Sequence, residues 1–435
     1  MANKHASLDA LFADIADAIR EKTGDTGIIP AVEFPNMIRG RLQIAPLPYL
    51  TFSSPNSFTL NVNDATKHWN GTLEYSTDAS AWSTWDGTTT LSSAISGSDN
   101  VLYLRGTGNT VITGNSSNYK WVLTGSDIAC IGNIESLLDY STVKSGLHPN
   151  MATSCYQYMF VDCTSLTQAP ALPATTLAEK CYYAMFQGCT RLTQAPALPA
   201  TALADYCYSY MFQGCTSLTQ APALPATTLA NYCYYGMFQD CTSLTQAPAL
   251  PATTLAERCY YSMFYGCTSL TQAPELHATT LANYCCSNMF NQCTSLTQAP
   301  ALSATTLANG CYYSMFNRCT SLTKAPSELP ATTLANNCYR FMFEFTAITV
   351  IPRIMATTYA TDSCKGMFDD IKTLNVYSSS GPGHTYGWTA PASTYCSGMF
   401  GSDDNQSEWA KLNGSNFPNS GTPTEGVTYY FTTVN

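Results

Sequence analysis

CTSLTQAP, Cys163–Pro170, returns letter for letter from Cys215, Cys241, Cys267 and Cys293. Altered copies start at Cys189 (CTRLTQAP) and Cys319 (CTSLTKAP), and each start lies 26 residues after the last. A fixed period of this size marks units that bury a common core only by stacking on one another. One unit, Leu166 to Arg191, reads LTQAPALPATTLAEKCYYAMFQGCTR. Pro170 and Pro173 exclude a helix from its first half, which reads as a short extended segment with Leu166 turned inward. In the second half Leu177, Cys181, Met185 and Cys189 recur every four residues, with Phe186 beside them. Thr176 and Glu179 have the spacing of a capping box, and Gly188 sits where a helix ends. This spacing predicts a short helix. The unit is then strand, turn, helix, turn. Stacked, it gives an α/β solenoid with a parallel ladder on the proline side and helices on the other.

In such a stack each residue touches its counterparts one coil above and below, so packing alone holds the phrase constant. The pairs that drift are Glu179-Lys180, Asp205-Tyr206, Asn231-Tyr232, Glu257-Arg258 and Asn283-Tyr284, which the same reasoning places on the outer surface. Of 19 cysteines, ten stand shortly before a Met-Phe pair, from Cys155 to Cys396, and seven follow eight residues later, from Cys163 to Cys319. Eight helical residues rise roughly 12 Å, farther than a disulfide reaches, so columns of free, buried thiols are expected. After Cys338 the period frays, and Thr346 and then Lys372 fall where the second cysteine belongs. The tail from Gly401 reads as a cap ending in one strand, and SDIACIGNIESLLDY should close the first coil.

The MFQGCTSLT run, the paired cysteine columns and the period resemble BspA-like leucine-rich repeats from roughly Cys130 to Phe400. That resemblance implies a right-handed stack of strand-helix coils. It also implies a surface protein, of bacteria or of the phages and prophages of gut bacteria. The APALPA segment is richer in proline than the family's usual strand, which weakens the expected ladder there. Upstream, YLTFSS, SFTLNV, GTLEYS and NVLYLRG alternate apolar and polar residues between turn signals such as Asn70-Gly71, predicting a small all-β sandwich. It resembles a module found beside such repeats. The segment LFADIADAIREKTGDTGIIPAVEFPNMIRGRL resembles an N-terminal segment of phage tail-associated structural proteins. Its apolar stripe, Leu8, Leu11, Phe12, Ile15 and Ile19, predicts an amphipathic helix for attachment or oligomerisation, and its acidic residues are unlike a secretory signal. The expected organisation is 1–44 attachment, 45–125 β-sandwich, 126–400 solenoid and 401–435 cap.

With 19 Lys plus Arg against 29 Asp plus Glu the chain carries −10, a poor match for nucleic acid. No run of 18 apolar residues is present to insert into a membrane. The histidines (His5, His68, His148, His277, His384) are scattered, none in a zinc spacing, and none recurs with the cysteines to activate them. His277 reads as an exposed substitution for a proline. Asp369-Asp370 and Asp403-Asp404-Asn405 read as solvated loops and not as calcium ligands. No metal or cofactor is expected. The remaining candidates are tyrosines, low-entropy anchors at recognition surfaces: Tyr182, Tyr206, Tyr208, Tyr232, Tyr234, Tyr260, Tyr284 and Tyr312. The function that the two resemblances imply is non-enzymatic adhesion or host recognition by a phage or prophage tail-associated protein. Its partners would be a host cell-surface glycan or protein, other tail proteins, and further copies of itself. The alternatives are a bacterial cell-surface adhesin of the same repeat family and an enzyme acting on cell-wall polymer. The last lacks the paired carboxylates of glycan hydrolysis.

Overall fold

The computed structural model describes residues 49–401 and 406–432. The expected N-terminal helix with Leu8, Leu11, Phe12, Ile15 and Ile19 lies outside them.

The repeat is not strand-helix. Among the described residues α-helix is confined to α1 (Ser136–Lys144, kinked at Asp139) and α2 (Ser393–Cys396). Where the spacing predicts a helix, the chain runs instead as consecutive tight turns. The N–H groups of Cys181, Tyr183, Met185, Gln187 and Cys189 bond the carbonyl three residues back. The alternate N–H groups, those of Lys180, Tyr182, Ala184, Phe186 and Gly188, leave the coil and bond Asp205, Cys207, Ser209, Met211 and Gln213 of the next. The same five bonds recur between later coils, for instance from Arg258, Tyr260, Ser262, Phe264 and Gly266. Lys180, Ala184 and Gly188 have φ of 54°, 50° and 72°, which is what the third position of a type II turn requires. The local period is therefore four residues and not 3.6. That explains both the burial of the Leu177, Cys181, Met185 and Cys189 stripe and the error of reading it as a helix.

The ladder also lies on the opposite side from the one expected. The proline-rich segments meet mostly through isolated parallel bridges, such as Leu250 to Leu276 and Leu276 to Leu302. Leu166 is inward and fully buried, as anticipated. Prolines cannot donate to a ladder, and the turn run carries the inter-coil bonding in their place.

Inside, Phe160, Phe186, Phe212, Phe238, Phe264, Phe290, Phe316, Phe343, Phe368 and Phe400 stack in one column. The ring centroids of Phe186 and Phe212 are 5.7 Å apart and 6° from parallel. Each such contact contributes about 0.5–1.5 kcal/mol beyond area burial. A second column runs through Tyr156, Tyr182, Tyr208, Tyr234 and Tyr260, then Cys286, then Tyr312 and Tyr339, all buried. Cys364 and Cys396, one residue closer to Met-Phe than the other cysteines, continue this column. Tyr339 accordingly donates to Ser363, which takes the cysteine place, and Cys364 donates to Tyr395. Buried Ile371, rather than Lys372, takes the second cysteine position.

All 19 cysteines are free and buried. In the second column the thiols of Cys189, Cys215, Cys241, Cys267, Cys293 and Cys319 donate to the phenylalanine carbonyl of the preceding coil, at 3.0–3.1 Å. Burial pushes the Cys163, Cys207 and Cys215 thiols up to about 12, so they are unreactive at neutral pH.

Ahead of the coils lies the small sandwich. Its strands are β1 (Leu50–Ser54), β2 (Thr59–Val62), β3 (Thr72–Ser76), β4 (Ser83–Trp85), β5 (Leu91–Ser92), β6 (Ala94–Ser96), β7 (Asp99–Thr107), β8 (Trp121–Thr124) and β9 (Ile128–Ile131). One sheet has the order β9-β1-β7-β3-β4 with β6 beside β7, and the other is β5-β2-β8. Trp69, Trp85 and Trp121 fill the space between them, while Trp82 is half-buried at the surface. β9, within SDIACIGNIESLLDY, also pairs in parallel with β10 (Leu166–Gln168), so the sheet runs into the first coil. Ile112 and Trp121 donate to the first coil's Cys155 and Met159 carbonyls. At the other end a five-stranded sheet from Asn375–Tyr377 to Thr428–Phe431 covers the last coil. Gly398 and Phe400 donate there to Thr422 Oγ1 and the Gly421 carbonyl.

Candidate ligand groove on the turn face

The structure divides the eight tyrosine candidates. Tyr182, Tyr208, Tyr234, Tyr260 and Tyr312 are at most 2% exposed, in the core column, and cannot meet an external ligand. Burial pushes their hydroxyls well above the usual phenol range. Tyr206, Tyr232 and Tyr284 are half-buried on the turn face, with φ of 58°, 56° and 55°.

Those three line a groove of about 560 Å³ together with Tyr183, Tyr210, Tyr235, Tyr261, Ser209 and Arg258. Two local departures from the repeat create it. Ser209 occupies the place of Tyr183, Tyr235 and Tyr261 in neighbouring coils, is fully buried, and donates to the Tyr232 carbonyl at 2.5 Å. Gly236 leaves room for the Tyr210 ring, which a Cβ there would meet at 2.7 Å. One wall holds Tyr206 and Tyr232 in a parallel stack, 4.4 Å between centroids. Along the other, Tyr183, Tyr210 and Tyr235 meet edge to face at 5.8 and 5.1 Å before Tyr235 stacks on Tyr261 at 4.7 Å. Arg258 lies over Tyr232 and Tyr284 at 5.4 and 4.9 Å. It donates to the Tyr232 hydroxyl and, at 2.9 Å, to Glu257. Its charge is thus matched within the chain. Tyr183, Tyr210, Tyr235 and Tyr261 are not among the eight sequence candidates; the break from tyrosine to serine at 209, between Tyr183 and Tyr235, was the available signal.

A second concavity, of about 610 Å³, lies on the proline side where His277 and Ser303 replace prolines. His277 is exposed, as anticipated, with Nε2 3.7 Å from the Glu275 carboxylate. Asp369 and Asp370, expected in a solvated loop, are buried and lie with Glu344 such that one carboxylate oxygen of each is within 4.8 Å of the others. Coil stacking brings them together, since Glu344 and Asp369 end turn runs one coil apart. Burial and then the charge of Asp369 push Glu344 up to about 7, while Asn317 donates to it. Three such oxygens fall short of the six to eight that calcium takes. Asp403, Asp404 and Asn405 lie outside the described residues.

No curated protein matches the chain. A solved leucine-rich repeat protein from Bacteroides ovatus is 12% identical, with 52% of this chain and 78% of that one covered, at a TM-score of 0.19, too slight a likeness to carry an argument. The family of the BspA type leucine rich repeat region matches in six copies, over residues 135–271 and 238–367. Those spans cover more than half of the chain, which belongs to the BspA-type leucine-rich repeat family.

Proposed function

We propose that this protein is a non-enzymatic recognition protein of a tailed phage or prophage. Residues 1–44 attach it to other tail proteins or to further copies of itself, and the coil stack is presented to a host cell-surface glycan or protein. The observation that carries the reading is the open tyrosine groove on the turn face, an anchor-rich concavity within the usual size of a ligand site. Family membership supports a second reading, a bacterial surface adhesin, in which the groove does the same work on a different carrier. The test has two arms. Labelled full-length protein should adhere to cells, with adhesion lost in the Tyr232→Ser, Tyr261→Ser double variant. Antibody against the coils should decorate virions; decoration of bacterial cells alone selects the adhesin, and adhesion unaffected by the double variant removes the groove.

A further inference from the structure

We infer that the groove takes a linear, uncharged glycan lying along the stack axis, one sugar ring per coil. This rests on the recognition reading above and adds the chemistry of the ligand. The lining offers phenol hydroxyls and ring surface from five successive coils, repeating at the stacking distance of the coils themselves. A ligand that meets such a wall at several points must itself repeat at a comparable step, as an extended pyranose chain does. A globular receptor would need an irregular pattern of contacts. Edge-to-face pairing at Tyr183, Tyr210 and Tyr235 covers one face of one ring in each pair, whereas a parallel stack covers two. More ring surface is left for the apolar face of a sugar, and the hydroxyls serve its rim. Charge selects the uncharged class. The one cation in the lining, Arg258, is already held by Glu257 and by the ring faces of Tyr232 and Tyr284, so an acidic sugar gains no unpaired partner.

Ser209 sets the depth of the groove. Ser209→Tyr restores the residue of the adjoining coils and should fill it, while Tyr261→Ala removes part of one wall. Full-length protein is titrated calorimetrically with cellohexaose, mannohexaose and chitohexaose at up to millimolar concentration, with oligogalacturonate as the acidic control, at low and high salt. We expect saturable binding to at least one uncharged hexamer, insensitive to salt and weakened at least tenfold in both variants. Tyr261→Ala keeps the test decisive if Ser209→Tyr does not fold. Binding confined to oligogalacturonate and lost in salt overturns the inference, as does no binding to any uncharged hexamer, or binding unchanged in Tyr261→Ala. If cells still bind through the groove while no hexamer does, the ligand chemistry alone is wrong; if neither binds, the recognition reading fails too.

Discussion

Cysteine and tyrosine show what a single residue reveals in a stacked repeat. The Cys215 thiol is buried, pushed up to about 12, and donates to the Phe186 carbonyl. Native protein should therefore show few thiols reactive toward a disulfide reagent, and denatured protein without reductant nearly 19. A markedly lower count in denaturant would mean disulfides. The inward stripe of Leu177, Cys181, Met185 and Cys189 was legible because apolar residues at a fixed interval have one explanation. The tyrosine column was not, since a ring with a hydroxyl suits a core or a wet surface. The clue was Cys286: a column in which tyrosine gives way to cysteine is an interior one, because cysteine is among the most buried residue types. Glu344 gives a second prediction. Its folded value, about 7, stands above the ordinary 4.5, so the protonated acid is the form the fold prefers. Its stabilising contribution is present below pH 4.5 and is lost as pH rises through about 7. Asp369, Asp370 and Arg318 also act on it. Denaturant midpoints measured across this window should fall for the parent and fall less for Glu344→Gln.

At the scale of the element, the turn run and the helix predict opposite signs for one substitution. Gly236 lies in mid-run, with φ +56°. In a helix interior Gly→Ala would stabilise by about 1 kcal/mol. Here the left-handed backbone should instead cost about 1–2 kcal/mol, with the approach to Tyr210 adding to it. Urea unfolding of Gly236→Ala distinguishes the two, and a gain in stability would restore the helix. Four-residue spacing alone could not separate them, since an amphipathic helix shows the same interval over two or three turns. What separates them is glycine, asparagine and aspartate recurring every fourth residue, as at Asp362, Gly366 and Asp370, in the places where φ turns positive. The prolines told against a ladder on their side, but nothing in the sequence announced that alternate turn N–H groups would supply one.

For the molecule as a whole, the inter-coil bonds in the turn runs all point one way, each coil donating to the next. A stack of this kind has two different ends. The first coil needs donors, and the sandwich supplies them from Ile112 and Trp121; the last needs acceptors, found at Gly421 and Thr422. Phe417 and Phe431 close the phenylalanine column over Phe400, 4.7 and 6.0 Å between centroids. Chain ended at Phe400 should therefore self-associate through its unpaired edge, visible as early elution in size-exclusion chromatography. A monodisperse truncated monomer would show that the C-terminal sheet is dispensable.

Identical neighbours also make the coil a unit of inheritance. An in-frame loss of residues 296–321 joins Ser295 to Leu322, regenerates the CTSLTKAP phrase, and leaves both ends as they were. Such a variant should fold with nearly the parental melting temperature while bringing the two ends closer by the rise of one coil. Duplication would lengthen it by the same step. Unequal crossing-over among near-identical repeats can then tune the reach of this protein in discrete increments without having to reinvent its core.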